Sequence, residues 1–273
     1  MTSGEVFRAL HQRGNPFVLC NVWDRGSALL MQGLGAKALA TSSAAHAFTL
    51  GRGDGGTLTR DDALAHAQDI LSVAHVPVQG DFENGFGDDP DTCAETVRLA
   101  AEIGLAGICI EDTEFPSGAS YDHDLAVERI RAAAAAARAL PHDFVLTARA
   151  DGFLTGSYGM EGALARLQAF EDTGADCLYS PIPPTFADQA EICRRFAAPV
   201  NVLIAGEYTR HPLSDYATIG AARLSLGSSL ARATHRIMVD AGSAMFDHGD
   251  FTALGRSISG DTVNDLMNKG RHP

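Results

Sequence analysis

Short apolar runs alternate along the chain with longer segments in which apolar residues recur every three or four positions. The short runs are rich in Val, Ile, Leu and Ala, as in parallel strands that are buried on both faces. They predict eight strands: "FVLCNV" (17–22), "KALATS" (37–42), "VPVQGD" (76–81), "GICIE" (107–111), "FVLTAR" (144–149), "DCLYS" (176–180), "VNVLIA" (200–205) and "RLSLG" (223–227). No hairpin signal joins neighbouring runs, so the pattern favours a closed α/β barrel of the (β/α)8 TIM type over an open doubly wound sheet.

Glycines and capping residues mark the ends of the predicted helices. A glycine, which takes the left-handed conformation at little cost, ends four helical patterns just before a strand: Gly35, Gly104, Gly174 and Gly220. Asp89 is placed to cap a helix that begins at Pro90, and Thr59 with Asp62 forms the pattern of a capping box. These signals recur in the order that a βα repeat requires.

The C-terminal part of the chain exceeds what a barrel needs in order to close. No linker or change of composition divides the sequence, so we expect a single barrel domain, residues 1–273. About 45 residues follow the eighth predicted strand, with helical patterns at 228–246 and 261–269. We expect this C-terminal helical extension, residues 228–273, to pack against another subunit.

Composition narrows the choice of partner and compartment. A net charge of −13 and a pI near 5.1 argue against nucleic acid or an anionic membrane surface as partner, although small anionic substrates respond to local fields. Five scattered cysteines without a C-x-x-C pair indicate neither a disulfide framework nor a zinc site. The N-terminal "MTSGEVFRALHQRG" lacks the apolar stretch of a secretory signal, so a cytoplasmic protein is predicted.

Polar side chains follow the predicted strands at the rim where barrels carry their catalytic groups. In "VQGDFENGFGDDP", Asp81 and Glu83 lie two residues apart and share one face of an extended chain. The other candidates at strand ends are Ser42, Ser43, Glu111, Asp112, Arg149, Asp151, Asn201 and Arg223. Carboxylates gathered in this way need a compensating cation, and oxygen ligands without His or Cys neighbours predict Mg²⁺, with Mn²⁺ as a second candidate.

Two of these features carry two interpretations each. Arg149 either forms an ion pair with Asp151 or Glu111, or binds a substrate carboxylate and stabilises negative charge near the metal. The segment "TSSAA" (41–45) either presents N–H groups and hydroxyls to an anion or is an ordinary turn after a strand.

The motifs together resemble the isocitrate lyase/phosphoenolpyruvate mutase superfamily. They recur in the order of that family: "ATSSAAHAFTLGRGD", "GDFENGFGD", "ICIEDTEFP", "LTARADGFL", "GADCLYSP", "VNVL" and "RLSLGSSL". The resemblance implies a (β/α)8 barrel that exchanges its eighth helix between subunits, as a homodimer or homotetramer. It also implies an enzyme that binds Mg²⁺ and a 2-oxo acid and makes or breaks a C–C or C–P bond next to an enolate.

Carried over by position, the resemblance assigns roles to individual residues. Asp81 is implied as the direct Mg²⁺ ligand, while Glu83 and Glu111 hold the ion mainly through water. Asp54, in "LGRGDGG", matches a loop aspartate near the reacting end of the substrate, and Arg149 matches an arginine that clamps the substrate. The remaining substrate-binding positions are Ser42, Ser43 and Ala44, at the carboxylate of the 2-oxo acid, and Asn201, on the far side of the site.

The chain departs from the lyases of this family after Glu111. Those enzymes carry a Lys-Lys/Arg-Cys-Gly-His loop whose cysteine handles the proton, whereas this chain has "EDTEFPSGASYDHD" (111–124). A mobile lid is still expected around Thr113–Tyr121. The proton donor is left open between Tyr121, Asp54, Tyr208 and a water, and the lid lacks the Lys and Asn that grip a phosphoryl group.

The leading hypothesis is a Mg²⁺-dependent lyase that cleaves a C–C bond of a small 2-oxo or 2-hydroxy di- or tricarboxylate through a metal-stabilised enolate. An oxaloacetate-type decarboxylase is an alternative because it needs only the enolate-stabilising groups. A phosphonopyruvate hydrolase is a second alternative, although it needs more positive charge near the lid. Outside the enzymes, the chain is alternatively a 2-oxo acid binding protein that has lost its chemistry.

Overall fold

Eight parallel strands form a closed barrel whose strand order follows the chain, from β1 to β8 and back to β1. The computed structural model describes residues 1–272. Its strands are β1 (Phe17–Asn21), β2 (Ala38–Ala40), β3 (Val78–Asp81), β4 (Gly107–Glu111), β5 (Val145–Arg149), β6 (Cys177–Tyr179), β7 (Val200–Leu203) and β8 (Arg223–Ser225). All eight predicted strands are present, so the predicted (β/α)8 barrel is confirmed.

Helices surround the barrel in the predicted alternation. They are α1 (Ser3–Leu10), α2 (Arg25–Gly33), α3 (Ser43–Thr49), α4 (Arg60–Leu71), α5 (Pro90–Glu102), α6 (His123–Arg138), α7 (Gly152–Thr155), α8 (Met160–Thr173), α9 (Phe186–Arg195), α10 (Leu213–Thr218), α11 (Ser229–His248) and α12 (Gly260–Arg271), with 3₁₀ turns at Gly206–Arg210 and Thr252–Arg256. The capping box of Thr59 with Asp62 is confirmed, as is the Asp89 cap before Pro90. Gly104 has a φ of 97°, which only glycine adopts readily after a helix.

A polar layer fills the N-terminal half of the barrel interior. Arg223 is 1% exposed and donates hydrogen bonds to Asn201 Oδ1 (2.9 Å), to Gln79 Oε1 (2.7 Å) and to Thr147 Oγ1 (3.2 Å). Arg223 is the first residue of β8, and Asn201 is the second residue of β7. The prediction that these two residues lie at C-terminal strand ends is therefore wrong: they hold each other inside the barrel.

His11 closes this layer from below. Its Nδ1 lies 2.8 Å from the carbonyl oxygen of Phe7, and its Nε2 lies 3.1 Å from Nη1 of Arg223. Because the arginine can only donate, Nε2 must accept, and the neutral ring carries its proton on Nδ1. Burial, reinforced by the charge of Arg223, lowers the pKa of His11 to about 3.

The two C-terminal helices differ in how they pack. α12 lies against α2 of the same chain, where glycines bring the backbones together: a Cβ added at Gly33 or Gly270 would lie 2.1 Å from a carbonyl oxygen of the facing helix. α11 buries only Ala231 and Ala241 and leaves Ile237, Met238 and Phe246 68%, 68% and 87% exposed. Among residues 1–272, no helix is long and apolar enough to cross a lipid bilayer.

The buried neutral His11 makes the stability of the fold depend on pH. Its pKa is lowered on folding, so its contribution is present above the unfolded pKa of about 6.5 and is lost as the pH falls toward 3. Between pH 6.5 and 5 we expect this residue to remove about 1.5 kcal/mol of the free energy of unfolding. Urea unfolding of the wild type and of His11→Phe at both pH values measures the difference. An equal pH dependence in the two proteins would contradict the assignment.

Candidate active site

A cavity of about 470 Å³ opens at the C-terminal ends of the strands, inside the ring of βα loops. It is lined by eight of the nine predicted site residues: Ser42, Ser43, Ala44, Asp54, Asp81, Glu83, Glu111 and Arg149. The ninth, Asn201, does not line this cavity but donates to Ser225 Oγ (2.8 Å) and accepts from Arg223 within the barrel. The structure therefore gives Asn201 a place in the barrel interior, below the cavity.

Strand β3 and the turn after it position the first two carboxylates. Asp81 ends β3, and its Oδ2 accepts from the backbone N–H (2.9 Å) and the hydroxyl (3.0 Å) of Ser43 at the start of α3. Glu83 has a φ of 45°, and its carbonyl oxygen accepts from the N–H of Glu111 (2.9 Å). The side chain of Glu83 accepts from the N–H of Gly56 (3.2 Å), which ties the loop carrying Asp54 to the site.

Arg149 is the cation around which the carboxylates gather. It lies opposite Glu111 in the register of β4 and β5, and its Nη1 is 2.8 Å from Glu111 Oε2. Its Nε donates to Asp151 Oδ1 (2.5 Å), and Nη1 is 3.9 Å from Asp81 Oδ1. The ion-pair interpretation of Arg149 is thus confirmed for both predicted partners, while its place on the cavity wall keeps it within reach of a ligand.

Negative charge in the cavity exceeds the positive charge that the protein supplies. Five carboxyl groups line it, those of Asp54, Asp81, Glu83, Glu111 and Asp151, against the two guanidinium groups of Arg149 and Arg232. Burial raises the pKa of Glu83 to about 7, and it raises the pKa of Glu111 well above its usual range despite the adjacent Arg149. Burial and the neighbouring Asp81 also raise the pKa of Asp54. Burial is the largest cause of all three raised pKa values, and neighbouring carboxylates add to it.

The donor set fits a hard divalent cation. All candidate ligands are carboxylate oxygens, which suit Mg²⁺. In the described part of the chain, no three His, Cys, Asp or Glu side chains come close enough together to hold one ion directly. A Mg²⁺ ion that keeps several of its waters needs only one or two direct carboxylate ligands.

Two tyrosines that were candidates for the proton donor do not reach the cavity. Tyr121 is 5% exposed, and its hydroxyl donates to Asp88 Oδ1 (2.5 Å) on the far side of the lid. The hydroxyl of Tyr208 donates to the carbonyl oxygens of Pro183 (2.7 Å) and Thr185 (3.0 Å). Among the side chains proposed for this role, Asp54 alone lines the cavity.

The lid is a short hairpin-like loop. Thr113 and Ser120 form an isolated antiparallel bridge, and the ring of Phe115 lies against Gly55 and Gly56, next to Asp54. The lid therefore packs directly on the loop that carries Asp54.

Arg232 is a site residue that the sequence patterns did not single out. It lies in the first turn of α11, lines the cavity and has no carboxylate partner within 4.0 Å in the described structure. Its only sequence signal is a cation four residues into the helix after the last strand, where barrels often bind anionic groups.

Comparison with known proteins identifies the family. The family model described as phosphoenolpyruvate phosphomutase matches residues 7–246. The chain belongs to the phosphoenolpyruvate phosphomutase family. Within this family, a 2-methylisocitrate lyase of Salmonella typhimurium is 35% identical over 214 residues, 76% of this chain and 70% of the relative.

Solved structures agree with this assignment. A protein from Burkholderia cenocepacia J2315, provisionally assigned as a lyase/mutase, superposes with a TM-score of 0.91 at 42% identity, covering 96% of this chain and 94% of that one. A 2,3-dimethylmalate lyase, described as a PEP mutase/isocitrate lyase superfamily member, shares the fold with a TM-score of 0.82 at 24% identity, covering 97% and 94%. Together with this shared fold, the family model and the 35% identity to a 2-methylisocitrate lyase confirm the predicted class, that of the carbon–carbon lyases and mutases of the superfamily.

The excess of carboxylates predicts that a divalent cation stabilises the fold. At a Mg²⁺ concentration of 100 times its Kd, binding adds about 2.7 kcal/mol, so the melting temperature should rise by about 5–10 °C. In Asp81→Asn the rise should vanish, while the melting temperature without metal should stay equal or increase, because one repelling charge is gone.

Asp172→Asn, an identical change at an exposed position of α8, is the control and should keep the Mg²⁺-dependent rise. An undiminished rise in Asp81→Asn, measured by calorimetry, would show that the cation binds elsewhere.

Proposed function

We propose that this protein is a Mg²⁺-dependent lyase that cleaves a C–C bond in a small 2-oxo or 2-hydroxy di- or tricarboxylate. The observation that carries the proposal is the ring of five carboxyl groups around a cavity whose inward cation, Arg149, is already shared between Glu111 and Asp151. The 35% identity to an enzyme named 2-methylisocitrate lyase supports the reaction class.

Each residue of the cavity has a role that follows from its position. When bound, Mg²⁺ supplies Lewis acidity and offsets the negative charge that develops as the C–C bond breaks. Asp81, Glu83 and Glu111 are the residues that would hold the ion. Arg149 adds a fixed positive charge beside the reacting centre, where a preorganised cation stabilises developing charge most effectively.

Ser42, Ser43 and Ala44 form the wall that would face the substrate carboxylate. In the present structure the N–H and hydroxyl of Ser43 donate to Asp81. Each of these donors has a single hydrogen, so they would bind a substrate carboxylate in exchange for their bonds to Asp81.

Asp54 is the group that we propose to move the proton. It lines the cavity on a loop that still contacts solvent, and its raised pKa favours the protonated carboxyl that a general acid needs. The lid contributes no cysteine, lysine or arginine, which removes the side chains that otherwise serve this purpose.

Among the alternatives, an oxaloacetate-type decarboxylase is favoured by one observation: the cavity keeps the charge-stabilising groups while the lid contains no cysteine. A phosphonopyruvate hydrolase is less well supported, because Arg232 is the one cavity-lining guanidinium among residues 1–272 that is free of a carboxylate partner. A phosphoryl group carries two negative charges and requires more positive charge than that.

Turnover of a substrate panel tests the proposal. With Mg²⁺ and 2-oxo or 2-hydroxy di- and tricarboxylates, we expect a 2-oxo acid as a cleavage product, and Asp81→Asn should lower kcat/KM by about 10³-fold. Asp54→Asn should lower kcat by about 10²–10⁴-fold with little change in KM, because it removes proton transfer.

Asp172→Asn serves as the control and should keep full activity. Release of CO₂ and pyruvate from oxaloacetate, with no cleavage of the other acids in the panel, would favour the decarboxylase, and phosphate release from phosphonopyruvate would favour the hydrolase. Tight binding of these acids without turnover would indicate a binding protein.

We also propose that α11 packs against a second copy of the chain, by helix exchange in a homodimer or homotetramer. The helix exposes Ile237, Met238, Val239 and Phe246, a larger apolar surface than a monomer usually leaves in water. The charged pair Arg236 and Asp240 flanks the consecutive residues Ile237, Met238 and Val239, which fits an interface with an apolar centre and a polar rim.

Light scattering after gel filtration tests this assembly. The wild type should have two or four times the chain mass of 28.7 kDa, and Ile237→Asp with Met238→Asp should shift it to smaller species. Leu34→Asp, a matched change at a residue that is 64% exposed elsewhere, should leave the mass unchanged. A monomeric wild type would contradict the proposal.

A further inference from the structure

The cavity has two chemically different halves. Four of its five carboxyl groups, those of Asp54, Asp81, Glu83 and Glu111, come from β3, from β4 and from the loops after β2 and β3. The strand ends and loops from β5 to β8 contribute a set of aliphatic side chains: Leu154, Ile182, Leu203, Ala205 and Leu226. The polar side chains of this second half are Asp151, which is paired with Arg149, and Thr155, Tyr179, Ser228, Ser229 and Arg232.

These polar groups leave an aliphatic surface between them. Ser229 donates its hydroxyl to the carbonyl oxygen of Ile204 (3.1 Å), and Tyr179 is buried beneath the guanidinium of Arg149. Arg232 is exposed at the rim. The wall opposite the carboxylates is therefore hydrocarbon, although an acidic cavity of this kind could have been lined by polar groups throughout.

Ile182 is held in this wall at a conformational cost. Its φ is 43°, in the left-handed region that a β-branched residue strongly disfavours. The chain around it is fixed by Pro181 and Pro183, and the carbonyl oxygen of Pro183 accepts from the buried hydroxyl of Tyr208 (2.7 Å). Tyr208 is fixed in turn by Tyr216, whose hydroxyl donates to the Tyr208 carbonyl oxygen.

Glycine or asparagine would adopt this conformation with less strain. Residues with strained backbone conformations cluster at ligand sites, where the position of the side chain serves ligand binding. At position 182 the side chain lies on the cavity wall.

We propose that the half of the cavity formed after β5 to β8 is a hydrocarbon subsite, with Ile182 as its specificity-determining residue. The substrate then carries a small alkyl group on the side that faces away from its metal-chelating end. This inference rests on the proposed function, since it places a 2-oxo or 2-hydroxy acid in the same cavity. Arg232 lies at the rim of the cavity. It can therefore bind an anionic group of the substrate only if that group lies farther from the metal-chelating end than the alkyl group.

Binding of 2-oxo monocarboxylates with Mg²⁺ tests the subsite. Pyruvate, 2-oxobutyrate and 2-oxovalerate share the chelating end and differ by one methylene each, so calorimetry on the wild type should show an affinity gain of about three- to fourfold per methylene. In Ile182→Gly the ratio of the affinities for 2-oxovalerate and pyruvate should fall to less than half its wild-type value.

Three further measurements separate the outcomes. Ile182→Val, which keeps a β-branched wall, should restore most of the ratio, and Leu34→Gly, an exposed position far from the cavity, should keep the wild-type ratio. If Ile182→Gly does not fold, Leu203→Ser carries the test with the same expected loss of ratio. Equal binding of the three acids by the wild type would overturn the subsite and leave the proposed function standing, whereas no Mg²⁺-dependent binding of pyruvate would overturn both.

Discussion

The crowding of buried carboxylates around one arginine is the constraint on which the rest of the site depends. Arg149 is held between Glu111 and Asp151 and approaches Asp81, yet the carboxylates outnumber the cations that could balance them. Burying ionised carboxylates without partners costs several kcal/mol each, so this arrangement persists only with protonation or with a bound cation. Burial raises the pKa of Glu83 and of Glu111, as expected for carboxyl groups that are costly to ionise where they lie. A divalent ion bound among these carboxylates would supply the missing positive charge.

The barrel supplies the geometry that makes the crowding possible. Parallel strands bring Asp81, Glu111 and Arg149 to one rim because each is the last residue of its strand, and Glu111 and Arg149 are paired in register. The polar layer around Arg223 fills the barrel below them with groups whose hydrogen bonds are satisfied internally. The chemistry is thereby confined to the upper half of the barrel, under the lid that carries Phe115.

Much of this arrangement follows from the sequence, and the exceptions have physical causes. Asp81, Glu83, Glu111 and Arg149 were predictable because each follows an apolar run, and short parallel strands place their C-terminal residues on one side. Asn201 was placed wrongly because it is the second residue of the predicted strand 200–205, so its position at the start of the strand already indicated the barrel interior and not the C-terminal rim. Its partner Arg223 shows that a buried cation can be balanced by neutral acceptors from four elements, which no local pattern reveals.

Other features depend on contacts between distant loops. Whether Tyr121 faces the cavity or Asp88 is decided by which side of the lid packs on the barrel, and that is not encoded in a short window of sequence. The left-handed φ of Ile182 is not a conformation that the following Pro183 favours, so an apolar residue between two prolines gave no indication of a site. The family match to residues 7–246 adds the chemical class but leaves the substrate to be determined by such details.

The central claim is that a divalent cation bound at Asp81 balances the carboxylates of the cavity. Anomalous scattering from a crystal soaked with Mn²⁺ and oxalate, a 2-oxo acid mimic, tests it most directly. The account predicts one strong peak beside the carboxylate of Asp81, with Glu83 and Glu111 reaching it through water and with the oxalate against Ser43. An empty cavity at saturating Mn²⁺, with Glu111 and Asp151 still paired to Arg149 and no peak within reach of Asp81, would contradict it.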